Sequence, residues 1–117
     1  MTISRQTPES LVPLTPAVLH ILLALADQDR HGLGVMHEVE VRTKGAVRLG
    51  PGTLYGTIKR MVRAGLIAEA AERPEPDEDD TRRRYYTTTD LGRQVLRLEA
   101  ERLQELVNAA RVKRVLN

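Results

Sequence analysis

Residues 52–63 have side-chain types and a spacing that suit contact with a polyanion. On a helix with 100° between residues, an apolar face is formed by Leu54, Ile58, Met61 and Val62. The opposite face contains no acid and combines glycines, a hydroxyl and cations: Gly52, Thr53, Gly56, Lys59, Arg60 and Arg63, with Tyr55 and Thr57 at its flanks. Each glycine inside a helix costs about 1 kcal/mol relative to alanine, so the glycines at 52 and 56 indicate that another molecule approaches this backbone closely.

A DNA major groove accounts for these residue types. A helix that enters the groove needs a narrow leading face, small hydroxyls for base edges and cations near the phosphates. A solvated amphipathic helix with tolerated glycines explains the same residues, and this segment alone does not separate the two interpretations. The order of the neighbouring elements favours the DNA interpretation.

Three short helices, a β-hairpin and a long final helix are predicted in series. The first helix begins at Thr15-Pro16 and is apolar nearly all round, the second covers about 32–43, and the third runs from Pro51 to about 64. Two strand-like runs, 66–71 and 83–87, flank a proline-containing loop, and Thr89 caps a helix that reaches about residue 115. This is the order of elements in a winged helix-turn-helix.

The formal net charge of +2 averages two regions of opposite sign. Residues 72–80 contain six acids and one base, a charge of −5, so the remainder of the chain carries +7. Pro74 and Pro76 predict that the acidic stretch is an exposed loop. It lacks the glycine and terminal glutamate of a calcium loop, and no metal site is predicted. A basic body is compatible with a nucleic-acid partner.

The second strand-like run is rich in arginine. Side chains alternate along a strand, so Arg82, Arg84 and Tyr86 share one side. If Tyr85 packs inward, Arg82 and Arg84 point toward phosphate; alternatively these arginines neutralise the acidic loop or stay solvated. The acids themselves repel DNA, and the hypothesis is that they fold over the arginines in its absence or are held away from it.

The final helix has two apolar faces. Leu96, Ala100, Leu103, Val107 and Ala110 follow steps of four and three, which is the spacing of a coiled-coil seam, and they predict contact with a second copy of the chain. Leu91, Val95 and Leu98 are assigned to the chain's own domain. The alternative is that all these residues form one broad buried face.

Several runs resemble the PadR family of bacterial transcriptional regulators. They are Ile21-Leu22-Leu23-Ala24-Leu25, His31-Gly32-Leu33-Gly34, Leu49-Gly50-Pro51-Gly52-Thr53-Leu54-Tyr55, Arg63-Ala64-Gly65-Leu66-Ile67 and Arg82-Arg83-Arg84-Tyr85-Tyr86. The resemblance implies a dimeric winged helix-turn-helix repressor with its third helix in the major groove and its wing at the adjacent minor groove. The single C-terminal helix is similar to the small branch of the family. Without Trp or Phe, the aromatic ligand pocket of multidrug-binding relatives is not carried over.

Other function classes find little support. The chain has no cysteine, its histidines (His20, His31 and His37) have no evident catalytic partners, and no phosphate-cradling loop or metal-ligand spacing occurs, so neither an enzyme nor a cofactor is predicted. No run of eighteen apolar residues is present, and a cytoplasmic protein without a membrane partner is expected.

The prediction is therefore a mainly α fold with a small β-hairpin, comprising a flexible arm (1–13), a winged helix-turn-helix (14–88) and a C-terminal dimerisation helix (89–117). The expected partners are double-stranded DNA and a second copy of the chain, and the identity of any small-molecule effector stays open. The alternative function is a winged helix that contacts protein without specific DNA binding.

Overall fold

The computed structural model describes residues 7–70 and 84–117. In this part of the chain, a 3-10 helix at Pro8–Leu11 precedes four α-helices and three short strands. The helices are α1 (Pro16–Leu25), α2 (Gly32–Arg42), α3 (Pro51–Arg63) and α4 (Asp90–Val112), and the strands are β1 (Arg30–His31), β2 (Ile67–Glu69) and β3 (Tyr85–Thr88). The predicted mainly helical fold with a small antiparallel sheet is confirmed.

Helix α1 lies at the centre of the core, as its nearly continuous apolar sequence predicts. It begins at the predicted cap, where the Thr15 hydroxyl accepts a hydrogen bond from the Val18 amide at 3.4 Å and Pro16 occupies the first helical position. Ile21 and Leu22 are fully buried, and the helix contacts α2, α3, α4 and β3. The other helices are therefore positioned around α1.

Helices α2 and α3 also have local signals at their ends. The His31 side chain begins α2 by accepting a hydrogen bond at Nδ1 from the Gly34 amide, at 3.0 Å. Helix α3 begins at Pro51, and the chain leaves it through Gly65, whose φ of 79° is the left-handed conformation that glycine adopts without steric cost. Both helices agree closely with the predicted ranges.

The sheet contains a strand that the sequence does not predict. Its order is β1-β3-β2 with antiparallel pairing, and the predicted hairpin supplies β2 and β3. In β1, Arg30 lies opposite Tyr86 and His31 lies opposite Tyr85. No strand is predicted between the first and second helices, because two strand residues are too few to show the alternation that identifies a strand.

Residues 7–13 pack against the fold, which differs from the flexible arm expected there. The 3-10 helix contacts α4, and Leu11 and Val12 pack against the core. Just beyond it, the Leu14 amide donates a hydrogen bond to Glu99 Oε2 at 2.9 Å. Two apolar side chains and a buried carboxylate hold this segment in place, whereas residues 1–6 of the predicted arm lie outside the described residues.

Helix α4 is half covered and half exposed. The Thr89 hydroxyl accepts a hydrogen bond from the Gly92 amide at 3.0 Å, which confirms the predicted cap. Val95 is fully buried, and Leu91 packs against the core. From residue 104 to residue 117 every side chain is exposed except that of the half-buried Ala110. None of the helices formed by residues 7–70 and 84–117 combines the length and apolar content needed to cross a membrane.

Candidate nucleic-acid interface

Helix α3 uses one side for the core and leaves the predicted contact face accessible. Its buried side chains are Leu54, Thr57, Ile58 and Met61. The opposite side, which we call the open face of α3, is formed by Gly52, Thr53, Gly56, Lys59, Arg60 and Arg63; all are exposed except Gly56, which is half-buried. The predicted apolar face was wrong at two positions. Thr57, predicted at the flank, is 2% exposed, and Val62, predicted on the apolar face, is 42% exposed. The angular spacing of apolar residues indicates which side of a helix is buried, but the elements packed against the helix decide which side chains at its edges are covered.

The two glycines of the open face are not required by the fold. Apart from the backbone of α3 and the adjoining residues, no described atom lies within 4 Å of the position that a Cβ would take at Gly52, and at Gly56 only the Arg60 side chain lies near, at 3.6 Å. In contrast, a Cβ at Gly92 would overlap the carbonyl oxygen of Leu66. The fold therefore explains Gly92 but leaves Gly52 and Gly56 without a reason inside the described chain.

Tyr55 connects α3 to α2 beside the open face. A Cβ at Gly32 would lie 2.6 Å from the Tyr55 ring and 2.7 Å from its hydroxyl oxygen, so the ring covers the Gly32 backbone. The ring is still 46% exposed. Tyr55 thus fixes how α3 sits on α2 while it presents one side to the surroundings.

The three cations of the open face have no acidic partner in the described residues. Lys59, Arg60 and Arg63 are exposed, and none of them forms an ion pair with a carboxylate of residues 7–70 or 84–117. Arg60 donates instead to the hydroxyl of the buried Thr57, with Nη2 at 3.2 Å from Oγ1. An exposed set of cations without carboxylates is well placed to attract phosphate.

The wing is the hairpin that contains β2 and β3, and β3 orients its described part. Tyr86, rather than Tyr85, packs against the core, so the inward orientation considered for Tyr85 was wrong. The Tyr85 ring instead meets His31 edge to face, with ring centroids 5.3 Å apart. Burial, together with the nearby Glu69 carboxylate, raises the pKa of Tyr86 above its ordinary value. Arg84 is exposed and lies 3.7 Å from a Glu69 oxygen, while Arg82 and the acidic stretch 72–80 lie outside the described residues.

The predicted seam of α4 is divided between the core and the surface. Leu96 packs in part against the chain's own core, Leu103 and Ala110 are half-buried, and Ala100 and Val107 are exposed. Further large apolar side chains are exposed toward the end of the chain: Leu106, Val112, Val115 and Leu116. The last turns of α4 and the residues after it therefore carry apolar surface that the described residues do not cover.

Two of the histidines have structural contacts. The His20 Nδ1 lies 3.1 Å from Nη1 of Arg42, and burial and then this positive charge lower the pKa of His20 from its ordinary value. His31 caps α2, and His37 is exposed on the same helix. Within the two described ranges, no group of three or more histidines and carboxylates is arranged to hold a metal ion.

Two residues that shape the candidate interface were not identified from the sequence. Thr57 was placed at the flank of α3, although its buried hydroxyl holds Arg60. Gly32 matters because its missing side chain makes room for Tyr55. A hydroxyl three residues before an arginine is the one local signal that could have indicated the first contact, and no local signal indicates the second.

Comparison with known proteins places the chain in a family. The family model of PadR-like transcriptional regulators matches residues 21–98. The transcriptional regulator Rv3488 of Mycobacterium tuberculosis is 34% identical over 88 residues, which cover 75% of this chain and 76% of that protein. An uncharacterized 37.1 kDa protein in transposon TN4556 of Streptomyces fradiae is 36% identical over 90 residues, or 77% of this chain. Those residues are only 24% of the transposon protein, so the chain spans about a quarter of its length.

A solved structure shares the fold. The PadR family transcription regulator from Clostridium difficile R20291 is similar with a TM-score of 0.67 and 23% sequence identity, over 83% of this chain and 96% of that one. The regulators of the PadR family bind DNA, and the family consists of transcriptional regulators rather than enzymes. The family model matches more than half of the chain, so the protein belongs to the PadR-like family of transcriptional regulators.

Proposed function

We propose that this protein is a sequence-specific DNA-binding regulator that acts in the cytoplasm as a repressor by occluding a promoter. The observation that carries the proposal is the open face of α3, which combines small residues and cations without an acid and includes two glycines that no neighbouring atom requires. A solvated face gains nothing from glycines that weaken its helix. A face that enters a major groove gains close approach.

In this proposal α3 lies in the major groove and the wing lies beside it. Thr53 and Tyr55 are near base edges, because the first turns of a recognition helix commonly make those contacts. Lys59 and Arg63 bind phosphates. The resemblance to the family assigns Arg82 and Arg84 of the wing to the backbone at the adjacent minor groove. Strand alternation does not support this assignment, because Tyr86 rather than Tyr85 packs inward, and its support is the exposure of Arg84.

The proposed functional unit is a homodimer on a roughly palindromic operator. Two copies of α4 would cover the seam residues of the sequence prediction, Leu96, Ala100, Leu103, Val107 and Ala110. The exposed apolar side chains at the end of α4 support this arrangement, because residues 7–70 and 84–117 of a single chain leave them in water. Two reading helices related by a two-fold axis favour half-sites about one helical turn apart.

The decisive experiment is selection of bound duplexes from a random pool with purified protein, followed by titration of the enriched duplex at several salt concentrations. We expect one enriched palindrome, and we expect Lys59→Ala to weaken binding to all duplexes and to reduce the salt slope by about one unit per subunit. The matched control is Lys113→Ala, which removes the same charge just beyond the far end of α4 and leaves affinity nearly unchanged.

A second variant separates DNA contact from folding. Gly52→Ala adds a methyl group that meets no other part of the described chain, and alanine favours a helix more than glycine does, so thermal stability is expected to hold or rise while operator affinity falls. If no duplex is enriched and the salt slope is flat, the protein is a protein-contacting winged helix instead. Equal affinity for all sequences would remove the sequence-specific part of the proposal.

The dimer is tested separately. Leu103→Glu puts a charge into the proposed seam, so it is expected to shift the protein toward monomer in sedimentation and to weaken operator binding in parallel. Asn108→Glu adds the same charge to an exposed position outside the seam and is the control. A tight dimer in the Leu103 variant would show that the seam is misplaced.

A further inference from the structure

Thr57 is a polar residue inside the apolar side of α3. It is 2% exposed, and its Oγ1 accepts a hydrogen bond from Nη2 of Arg60 at 3.2 Å. A buried side chain has little freedom to turn, so its hydroxyl is a fixed anchor on an otherwise mobile arginine. One of the three cations of the open face is therefore held in place.

The arginine is also accommodated by a glycine. Its Nη1 lies 3.6 Å from the position of a Cβ at Gly56, so the guanidinium passes over the surface of the preceding turn. The side chain thus reaches from the tenth residue of α3 back toward its first half. Base edges are commonly contacted from that half of a recognition helix.

We propose that Arg60 is a specificity-determining residue that reads a guanine, and that Thr57 is the positioning residue that holds its guanidinium for this contact. This inference rests on the proposed DNA-binding function. A bidentate contact with guanine O6 and N7 requires a planar group in one orientation, and an arginine that is already oriented loses less side-chain entropy on binding. The hydrogen bond to Thr57 uses one of the two hydrogens on Nη2. The other Nη2 hydrogen and a neighbouring hydrogen on Nη1 or Nε remain available for the two bonds to guanine.

A phosphate contact would not need this arrangement. A lysine binds phosphate as a point charge that needs no fixed orientation, and within the described residues neither Lys59 nor Arg63 donates a hydrogen bond to Thr57. The open face is therefore divided between Arg60, which reads a base, and Lys59 and Arg63, which bind phosphate and have no such anchor in the part of the chain that the structure describes.

The test compares base preference in four proteins by selection from a random pool and by titration of single-base variants of the enriched site. Arg60→Lys keeps the charge but loses the fork, so discrimination at one G·C pair per half-site is expected to fall about 10- to 100-fold. Thr57→Val keeps the buried shape without the hydroxyl and is expected to lower discrimination at the same pair by about tenfold. Thr57→Ser retains the hydroxyl and is expected to keep the discrimination of the unaltered protein at that pair.

Controls separate this inference from the proposed function. Lys59→Ala is expected to weaken binding uniformly and to leave every base preference intact, while Arg60→Lys leaves the salt slope unchanged. Arg60→Lys exchanges one exposed cationic side chain for another, so this variant remains informative even if a Thr57 variant unfolds. Unchanged preference in Arg60→Lys, or in a folded Thr57→Val, overturns the inference while the DNA-binding function stands. Absence of any preferred site in the unaltered protein overturns the DNA-binding function itself.

Discussion

Replacing Glu99 by glutamine tests how the N-terminal segment is attached to α4. Glu99 is 1% exposed and is the one charged side chain that is buried within the described residues. Its Oε2 accepts hydrogen bonds from the Leu14 amide at 2.9 Å and from Nη2 of Arg102 at 3.1 Å, and its Oε1 accepts from Nε of Arg102 at 2.6 Å. One carboxylate thus joins the start of the chain to α4.

The cost of Glu99→Gln follows from this geometry. If the amide oxygen takes the place of Oε2, the NH2 group faces the Nε–H of Arg102, and two donors oppose each other. The variant loses one hydrogen bond between charged groups and is expected to be less stable by about 2 kcal/mol. The loss stays below that of a fully enclosed ion pair, because Arg102 is 38% exposed and can turn toward water.

The effect depends on pH in a defined direction. The hydrogen bond from Arg102 lowers the pKa of Glu99 from its ordinary value, the Leu14 amide adds to this, and burial opposes both. A carboxyl whose pKa is lower in the folded state stabilises the fold above its unfolded pKa, about 4.3, and loses that contribution as pH falls through the folded value. The stability difference between the two proteins is therefore full at pH 7 and decreases below about pH 4.

The assay is urea or thermal unfolding at pH 7 and at pH 3, with equal protein concentrations because any self-association contributes to stability. A loss of about 2 kcal/mol corresponds to roughly 6–12 °C in the melting temperature of a chain of this size. Glu101→Gln is the control, since Glu101 is exposed and its oxygen lies 3.7 Å from Arg97; it is expected to cost less than about 0.5 kcal/mol. Equal stability of the unaltered protein and Glu99→Gln at pH 7 would refute this reasoning, as would a difference that persists undiminished at pH 3.

Three further substitutions test contacts that position the elements of the candidate interface. Gly92→Ala is expected to destabilise the protein by about 1–3 kcal/mol in urea unfolding, because its Cβ would overlap the Leu66 carbonyl oxygen; stability equal to the unaltered protein would contradict that contact. Gly32→Ala is expected to displace the Tyr55 ring, so operator affinity should fall more than thermal stability, and an unchanged dissociation constant would argue against this role of the ring. Thr89→Val removes the cap of α4 and the hydroxyl's hydrogen bond to the Leu66 carbonyl. The free energy of unfolding, measured by chemical unfolding, is expected to fall by about 1–2 kcal/mol, and an unchanged value would show that the cap is dispensable.

The helix starts could be predicted because their signals are local. Thr15 and Thr89 precede helices whose first amides need acceptors, and Pro51 begins α3 where a missing amide hydrogen costs nothing. The acid-free face of α3 also follows from spacing alone, since 3.6 residues per turn fix which side chains share a side. For these features, a few neighbouring residues contain the whole physical cause.

Other features depend on residues that are distant in the chain. Strand β1 exists because β3 supplies its partner, more than fifty residues later in the chain, and the two residues of β1 have no pattern of their own. The burial of Thr57 instead of Val62 reflects which elements pack on α3. Neither the amphipathic period nor the charge of Glu99 indicates that its carboxylate meets Leu14, 85 residues away in the sequence.

The sequence by itself determined the order of helices, their caps, the cationic face of α3 and the family resemblance, because each rests on local residue types and spacing. Only the tertiary structure decided that residues 7–13 pack on α4, that Tyr86 rather than Tyr85 enters the core, and that Thr57 anchors Arg60. Burial and long-range hydrogen bonds depend on which residues from distant parts of the sequence come together in the fold. The amino-acid pattern of one segment therefore does not reveal these contacts, and they become visible only in the folded structure.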